Sequence, residues 1–309
     1  MNTQSNAIPG APAEAQAIAP ANISATRRIY WSVRREIWEY RSIYIAPLAA
    51  AALFLLGFLI STIRLPGKMR AAMALNPMEG HELLAQPYDF AALLIMGTTF
   101  VVALFYCLDA LHGERRDRSI LFWKSLPVSD LATVLSKASI PLVVLPLLTF
   151  AITVVTQWIM LLLSAAVLLG AGLSVATLWT HLSLSQMWVM LLYHLVTVHA
   201  LWYAPIFGWL LLVSGWARRA PLLWAALPLL AIGFVEKIAF NTSHFAAMLE
   251  HRIGGGAEAV IVPGTVPMDP MTHLTPGHFL ISPGLWIGLA VAAAFLAAAV
   301  RLRHYRGPI

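Results

Sequence analysis

Ile140 to Leu173 reads IPLVVLPLLTFAITVVTQWIMLLLSAAVLLGAGL, and the number of times this run crosses a membrane decides the fold. Roughly 20 apolar residues cover a hydrocarbon core of about 30 Å, so the run is too long for one ordinary span and too short for two with a turn. Charge separates the two readings. As one helix begun near Asp130 and extending past the far interface, it puts Arg218, Arg219 and the terminal RLRHYR on the side that holds the upstream basic segments. As two spans it would put both clusters on the opposite side, against the positive-inside rule. One long span is expected, kinked by Pro141 and Pro146 near its start and ended or bent by Gly170 and Gly172.

Upstream, apolar runs give a first span at about Ile45–Ile63 and a second at about Phe90–Leu111, with residues 64–89 between them expected as a polar, proline-containing loop. Downstream, a short loop around Trp179–Ser185 leads to a fourth span at about Gln186–Ser214. A tight turn at GWARRAP leads to a fifth at about Pro221–Phe240. The sixth is expected at about Pro283–Val300, after an outer loop over residues 241–281 that carries a triple glycine and several prolines. Fifteen of the 20 Lys and Arg then share one side, which makes both termini cytoplasmic. The fold class is an all-α membrane protein of six transmembrane helices.

Bulk composition agrees. The chain is 60% hydrophobic and 11% charged, where a soluble domain carries about 25% charged residues. Its net charge of +6 does not form one nucleic-acid stripe; the basic residues flank apolar runs and orient them. A single cysteine, Cys107, inside an apolar run, leaves no intrachain disulfide. Residues 1–24, rich in Ala and Pro, lack the basic start and apolar centre of a secretory signal and read as a disordered cytoplasmic tail, so residues 25–309 form the membrane domain. No internal repeat of the kind that marks an inverted-repeat transporter is visible.

Between tail and first span, RRIYWSVRREIWEYRSIY has helical periodicity. At 100° per residue Ile29, Val33, Ile37, Tyr40 and Tyr44 fall on one arc and Arg27, Arg34 and Arg41 on another, with Trp31 and Trp38 beside them. Such a helix can lie in the membrane interface, with Trp31 and Trp38 at headgroup depth and Arg34 and Arg41 reaching phosphates. It can equally serve as a basic flank that orients the first span.

Residues 112–138 join the second and third spans, and His112–Lys137 reads HGERRDRSILFWKSLPVSDLATVLSK, with eight charged residues. Glu114 and Arg118 stand at i, i+4 and can pair. Ile120 to Trp123 then bring four large apolar side chains into a cytoplasmic loop, where they cover something: a partner, or the bundle's own end. Pro127 stops the helix, and Ser129 suits the N-cap of the next.

No phosphate-binding G-x-x-x-x-G-K-[ST] occurs, so any ATP is hydrolysed by another chain. H-E-x-x-H and G-x-S-x-G are absent as well. His194 and His199, five apart, share no helix face well and read as bundle residues rather than metal ligands. His244, Glu250 and His251 match no zinc template. Catalytic, cofactor and metal residues are therefore expected to be none. Glu236 and Lys237 are adjacent opposite charges inside the fifth span, which suits a structural or snorkelling arrangement, or a gate or pathway role.

The pattern E-R-x-x-x-S-I-x-F-W-K-S-L-P-V-S over Glu114–Ser129, joining the second and third of six spans behind an amphipathic helix, resembles permease subunits of type-2 ABC transporters. The stretches EKIAFNTSHF and LISPGLWIGLAVAAAFLAAAVRLRHYR resemble bacterial members of that family. The resemblance implies an exporter's permease in a bacterial inner or plasma membrane, with no enzyme activity of its own. It would pair with a second copy and with two separate ATP-binding subunits, which carry ATP and Mg. It also implies that the loop at 112–138 supplies a coupling helix, making Glu114, Arg115, Arg118, Ser119, Phe122, Trp123 and Leu126 contact candidates. Such permeases bring the first and fifth spans together as dimers, and their outer loop often re-enters the membrane as a gate. Two other classes compete: a membrane-integral metal-dependent enzyme using the histidines, and an anchor or sensor that recruits a soluble partner through the same loop.

Overall fold

A computed structural model describes residues 25–125, 128–176, 178, 182–254 and 276–307. The amino-terminal tail, Leu126 and most of the triple glycine lie outside the described residues. Among the described residues every element is helical, and six helices are long and apolar enough to cross a membrane, the build of a multi-pass membrane protein.

The chain begins with α1 (Ala25–Glu39), followed by α2 (Ser42–Ser61) as the body of the first span. The stretch expected as a polar loop is helical instead. A 3₁₀ turn at Thr62–Arg64 continues into α3 (Leu65–Ala74), and α4 (Pro77–Asp109) begins thirteen residues before the expected Phe90. Pro66 and Pro77 occupy first turns, where the missing N–H has no helical partner anyway. Only Leu75 and Asn76 leave helical geometry, enough to reverse the chain. Burial supplies the driving force, because Met69, Ala72, Leu84, Ala85 and Tyr88 pack with Phe58, Met160, Leu161 and Leu168 in a core of their own. The polar appearance of this segment belongs to its other face.

After α5 (His112–Arg116) and α6 (Ser119–Ser125), the third span runs unbroken from Asp130 to Gly170. It consists of α7 (Asp130–Ser139), a π-helical turn at Ile140–Val144 and α8 (Leu145–Gly170). Ser129 caps it, its Oγ accepting from the Ala132 N–H at 3.2 Å. Pro141 cannot donate, and the helix absorbs the loss as a wider turn rather than a break. At the far end Gly172 takes φ +69°. The Leu173 N–H then reaches Leu168 O at 2.9 Å and the Gly172 N–H reaches Leu169 O at 3.1 Å, the paired bonds of a glycine-terminated helix.

The fourth span comprises α9 (Leu184–His194) and a π-helical stretch at Leu195–Trp202, and α10 (Ala204–Trp216) follows it as a shorter apolar helix within the expected Gln186–Ser214. Then follow α11 (Pro221–Phe240), α12 (His244–Ile253), α13 (Pro276–Ile281) and α14 (Pro283–Tyr305). Helices α10 and α14 pack most intimately, with Gly208 so near Ala292 that a Cβ would lie 3.3 Å from its carbonyl oxygen. By contrast α11 buries only Ala225, and Leu222, Leu230, Phe234 and Ile238 all point outward. One end of the bundle gathers α1, α5, α6, the start of α7 and the end of α14, and is called the charged end below. Toward the other end Gln157 ties three helices, its Oε1 accepting from Trp188 Nε1 at 2.7 Å and its Nε2 donating to Tyr88 O at 3.1 Å.

Candidate functional site

The charged end is built around two carboxylates that the helices take out of water. On α1, Glu36 follows the inward arc of Val33, Ile37 and Tyr40 and is completely buried. Lys137 of α7 donates to its two oxygens at 3.0 and 3.1 Å, and the Tyr106 hydroxyl of α4 donates at 2.9 Å. Glu114 of α5 accepts from the same Lys137 ammonium at 3.1 Å, from Arg35 at 3.2 Å and from Arg303 of α14. Arg303 Nε also meets Asp130 at 3.1 Å. Glu36, Glu114 and Asp130 are thus matched by Arg35, Lys137 and Arg303, and α1, α5, α7 and α14 become one ionic unit. Burial works against charge on Arg35, but Glu36, then Glu114 and Glu39 outweigh it and raise its pKa, so the guanidinium stays charged. Burial, then repulsion from Glu36, raises the Glu39 carboxyl, while Lys137 and Arg35 resist.

The loop between the second and third spans is bolted to this unit. The Leu111 and His112 N–H groups both donate to the Ser214 hydroxyl, at 3.0 and 2.9 Å, which satisfies amides exposed where α5 begins. Arg115 donates to the carbonyls of Gly215 at 2.8 Å, Ala217 at 3.2 Å and Gly307 at 3.3 Å. Arg118, at φ +58°, turns the chain into α6, whose Ile120 is buried. Lys124 reaches the carbonyls of His304 and Arg306 at 3.2 and 3.3 Å. Leu121 and Phe122 are each 59% exposed, and Trp123 lies under the Arg35 guanidinium at 3.8 Å.

The contact candidates therefore divide. Glu114 and Arg115 are turned inward and hold the loop, their burial offset by charge-assisted bonds to Lys137, Arg35 and Arg303 and to main-chain carbonyls. Arg118 and Phe122 are exposed, Ser119 is half-buried with its Oγ on Glu114 O at 3.4 Å, and Trp123 is half-buried. Leu126 lies outside the described residues. On α1, Trp31 and Trp38 are exposed, with the Arg34 guanidinium 5.1 and 4.8 Å from their rings, while exposed Arg41 sits just past the helix end. Glu36, Lys137 and Arg303 escape sequence reasoning. Their one signal is register: each charge sits on the apolar arc of its helix, Glu36 with Val33 and Tyr40, Lys137 with Val134.

Away from the charged end, Glu236 and Lys237 do not pair with each other. Glu236 accepts from the His244 and Phe245 N–H groups at 2.7 and 2.9 Å and from the Thr242 hydroxyl at 2.8 Å. It caps α12 from the neighbouring helix, and Lys237 is exposed. The other end of α12 is held by Arg252. Its Nη1 and Nη2 donate to Trp202 O at 3.2 Å and Gly284 O at 3.0 Å, and the guanidinium lies 4.2 Å from the Trp202 ring. Trp202 Nε1 and the Tyr203 hydroxyl return bonds to the carbonyls of Arg252 and Ile253 at 3.0 and 2.9 Å. Among the described residues no carboxylate neutralises Arg252, and burial lowers its pKa. Replacing Glu236 with Ala is expected to speed hydrogen exchange at the His244 and Phe245 amides while leaving α10 unchanged. Unaltered exchange at those two amides in a mass-spectrometric measurement would remove the capping role.

His199 is buried against Phe100, Tyr203 and Phe207, and among the described residues its Nε2 has no hydrogen-bond partner. Among the described residues no three His, Cys, Asp or Glu side chains come together as a metal site. No known protein family, curated protein or solved structure matches the chain.

Proposed function

We propose that this chain is the permease subunit of an ATP-driven transporter, an exporter of the type-2 ABC kind in a bacterial inner or plasma membrane. The observation that carries the reading is the pairing of an exposed apolar patch, Leu121 and Phe122, with the rigid base formed by Glu114, Arg115 and Ile120. An apolar patch on a loose connector would transmit nothing. On this base, a displacement of α6 reaches α1, α7 and α14 through Glu114 and Lys137. The positive-inside rule sets the charged end in the cytoplasm, within reach of a soluble ATPase that binds ATP and Mg. The outward apolar face of α11 suits contact with a second copy, giving a homodimer with two ATP-binding subunits. Work enters as a difference in the partner's affinity for two arrangements of the bundle.

The test is co-purification from the native membrane. A P-loop ATPase is expected with the wild-type chain, and Phe122→Ala together with Leu121→Ala is expected to weaken its binding by about tenfold or more, the loss of an apolar anchor. Membrane insertion should be unaffected. A chain that brings down no ATPase and is stimulated by none defeats the transporter reading; an ATPase bound equally well by the double variant defeats the assignment of α6.

A further inference from the structure

The charged end carries a second feature, on its outer flank. Between the start of α7 and the last turns of α14 lies an open groove of about 530 Å³. Its α14 wall changes character along the helix: Ala297 and Val300 come first, then Arg301, His304 and Tyr305. Steps of three and four residues place these side chains on one stripe, apolar at Ala297 and Val300 and basic and aromatic in the last turns of the helix. At 1.5 Å per residue the stripe is about 12 Å long.

Within the groove, Arg301 is the cation left for an anion once the carboxylate is accounted for. The α7 wall contributes Ser129, whose hydroxyl is occupied as a cap, and Asp130, whose carboxylate is held by Arg303 at 3.1 Å and His304 at 3.4 Å. Arg301 is exposed and, among the described residues, belongs to no ion pair. We propose that this groove binds the headgroup of an anionic phospholipid, with the phosphate on Arg301, Tyr305 at the interface, and acyl methylenes along Val300 and Ala297. A zwitterionic lipid brings its own cation to the phosphate and gains less from Arg301. The site is independent of any ATPase and stands or falls without it.

Native mass spectrometry of the full chain in detergent tests this with phosphatidylglycerol and phosphatidylcholine of identical acyl chains. Phosphatidylglycerol is expected to bind at least about fivefold more tightly, the value of one basic residue at a membrane surface. Arg301→Gln should remove that preference, and Arg219→Gln, at the turn before α11, should leave it intact. Because Arg301 is exposed and outside the ionic unit, the variant keeps the fold, which its unfolding temperature verifies. Equal affinity for the two lipids overturns the proposal. A preference that survives both Arg301→Gln and Arg301→Glu also overturns it, and so does complete displacement by millimolar inorganic phosphate, which would mark a site for free anions.

Discussion

Lys137→Met should destabilise the chain by about 3–5 kcal/mol, the range found when one partner is removed from a buried ion pair. The ammonium touches both Glu36 and Glu114, at 3.0 to 3.1 Å, and its side chain is 1% exposed, whereas Arg35, which also meets both, is 25% exposed. Without it, Glu36 keeps Tyr106 and Arg35, and Glu114 keeps Arg35 and Arg303, but one unit of positive charge is gone from beside two carboxylates whose side chains are at most 1% exposed. Methionine fills a similar volume, so the loss is electrostatic and no cavity term enters. Adding Glu36→Gln to Lys137→Met should restore much of the stability, because a neutral pair costs less to bury than a lone carboxylate. Chemical unfolding in detergent measures both. A loss under about 1 kcal/mol for the single variant, the range of an exposed pair, would mean that the cluster is hydrated. The same variant should loosen α1 from α7, visible as faster exchange in Ala25–Glu39.

The second large effect is expected from one methyl group. In Gly288→Ala the new Cβ would stand 2.2 Å from Arg252 Nη2 and 2.8 Å from its Cζ, so the guanidinium must withdraw. Arginine is long and flexible and α14 itself need not move; alanine even favours helix over glycine by about 1 kcal/mol. What is lost is the hold on α12. Two charge-assisted bonds to main-chain carbonyls and a face contact with Trp202 together are worth about 2–3 kcal/mol after rehydration of the guanidinium. Exchange should therefore rise across His244–Ile253 while α14 stays as protected as before. Arg252→Met should give the same pattern, and the double variant should be no worse than either single one, since both remove one interaction. Unchanged protection of α12 in Gly288→Ala would show that the Trp202 and Tyr203 bonds to the Arg252 and Ile253 carbonyls suffice alone. Since Glu236 secures the amino end of α12 and Arg252 its carboxyl end, this short helix is tied to three spans at once.

The parts of this architecture that are legible in the sequence are those set by neighbours along the chain. Ser129 caps the helix it precedes, Pro141 and Pro146 mark the distortion of the third span, and Gly172 ends it, because capping, proline geometry and a positive φ need only a few adjacent residues. The segment at 64–89 misled because prolines in first turns look like breakers until the start of the helix is known. Glu236 and Lys237 stand out as adjacent charges whose helical directions predict separate surroundings, and Glu236 indeed does not pair with Lys237, but its actual partners are not legible. Successive residues on a helix point about 100° apart, and Glu236 found amide donors eight and nine positions ahead, beyond any local rule.

Six apolar helices, one long third span and a basic loop with apolar residues out of place were therefore fixed by the sequence alone, since apolar length and charge asymmetry act residue by residue on the partition between lipid and water. Only the tertiary structure decided that Glu114 faces inward while Phe122 faces outward, that Glu36, Lys137 and Arg303 close one ionic unit across four helices, and that Gly288 makes room for Arg252. Each of those depends on which helices meet and at what height. A buried charge is tolerable only where a distant segment delivers its opposite to within about 3 Å, and periodicity along one helix carries no record of that meeting.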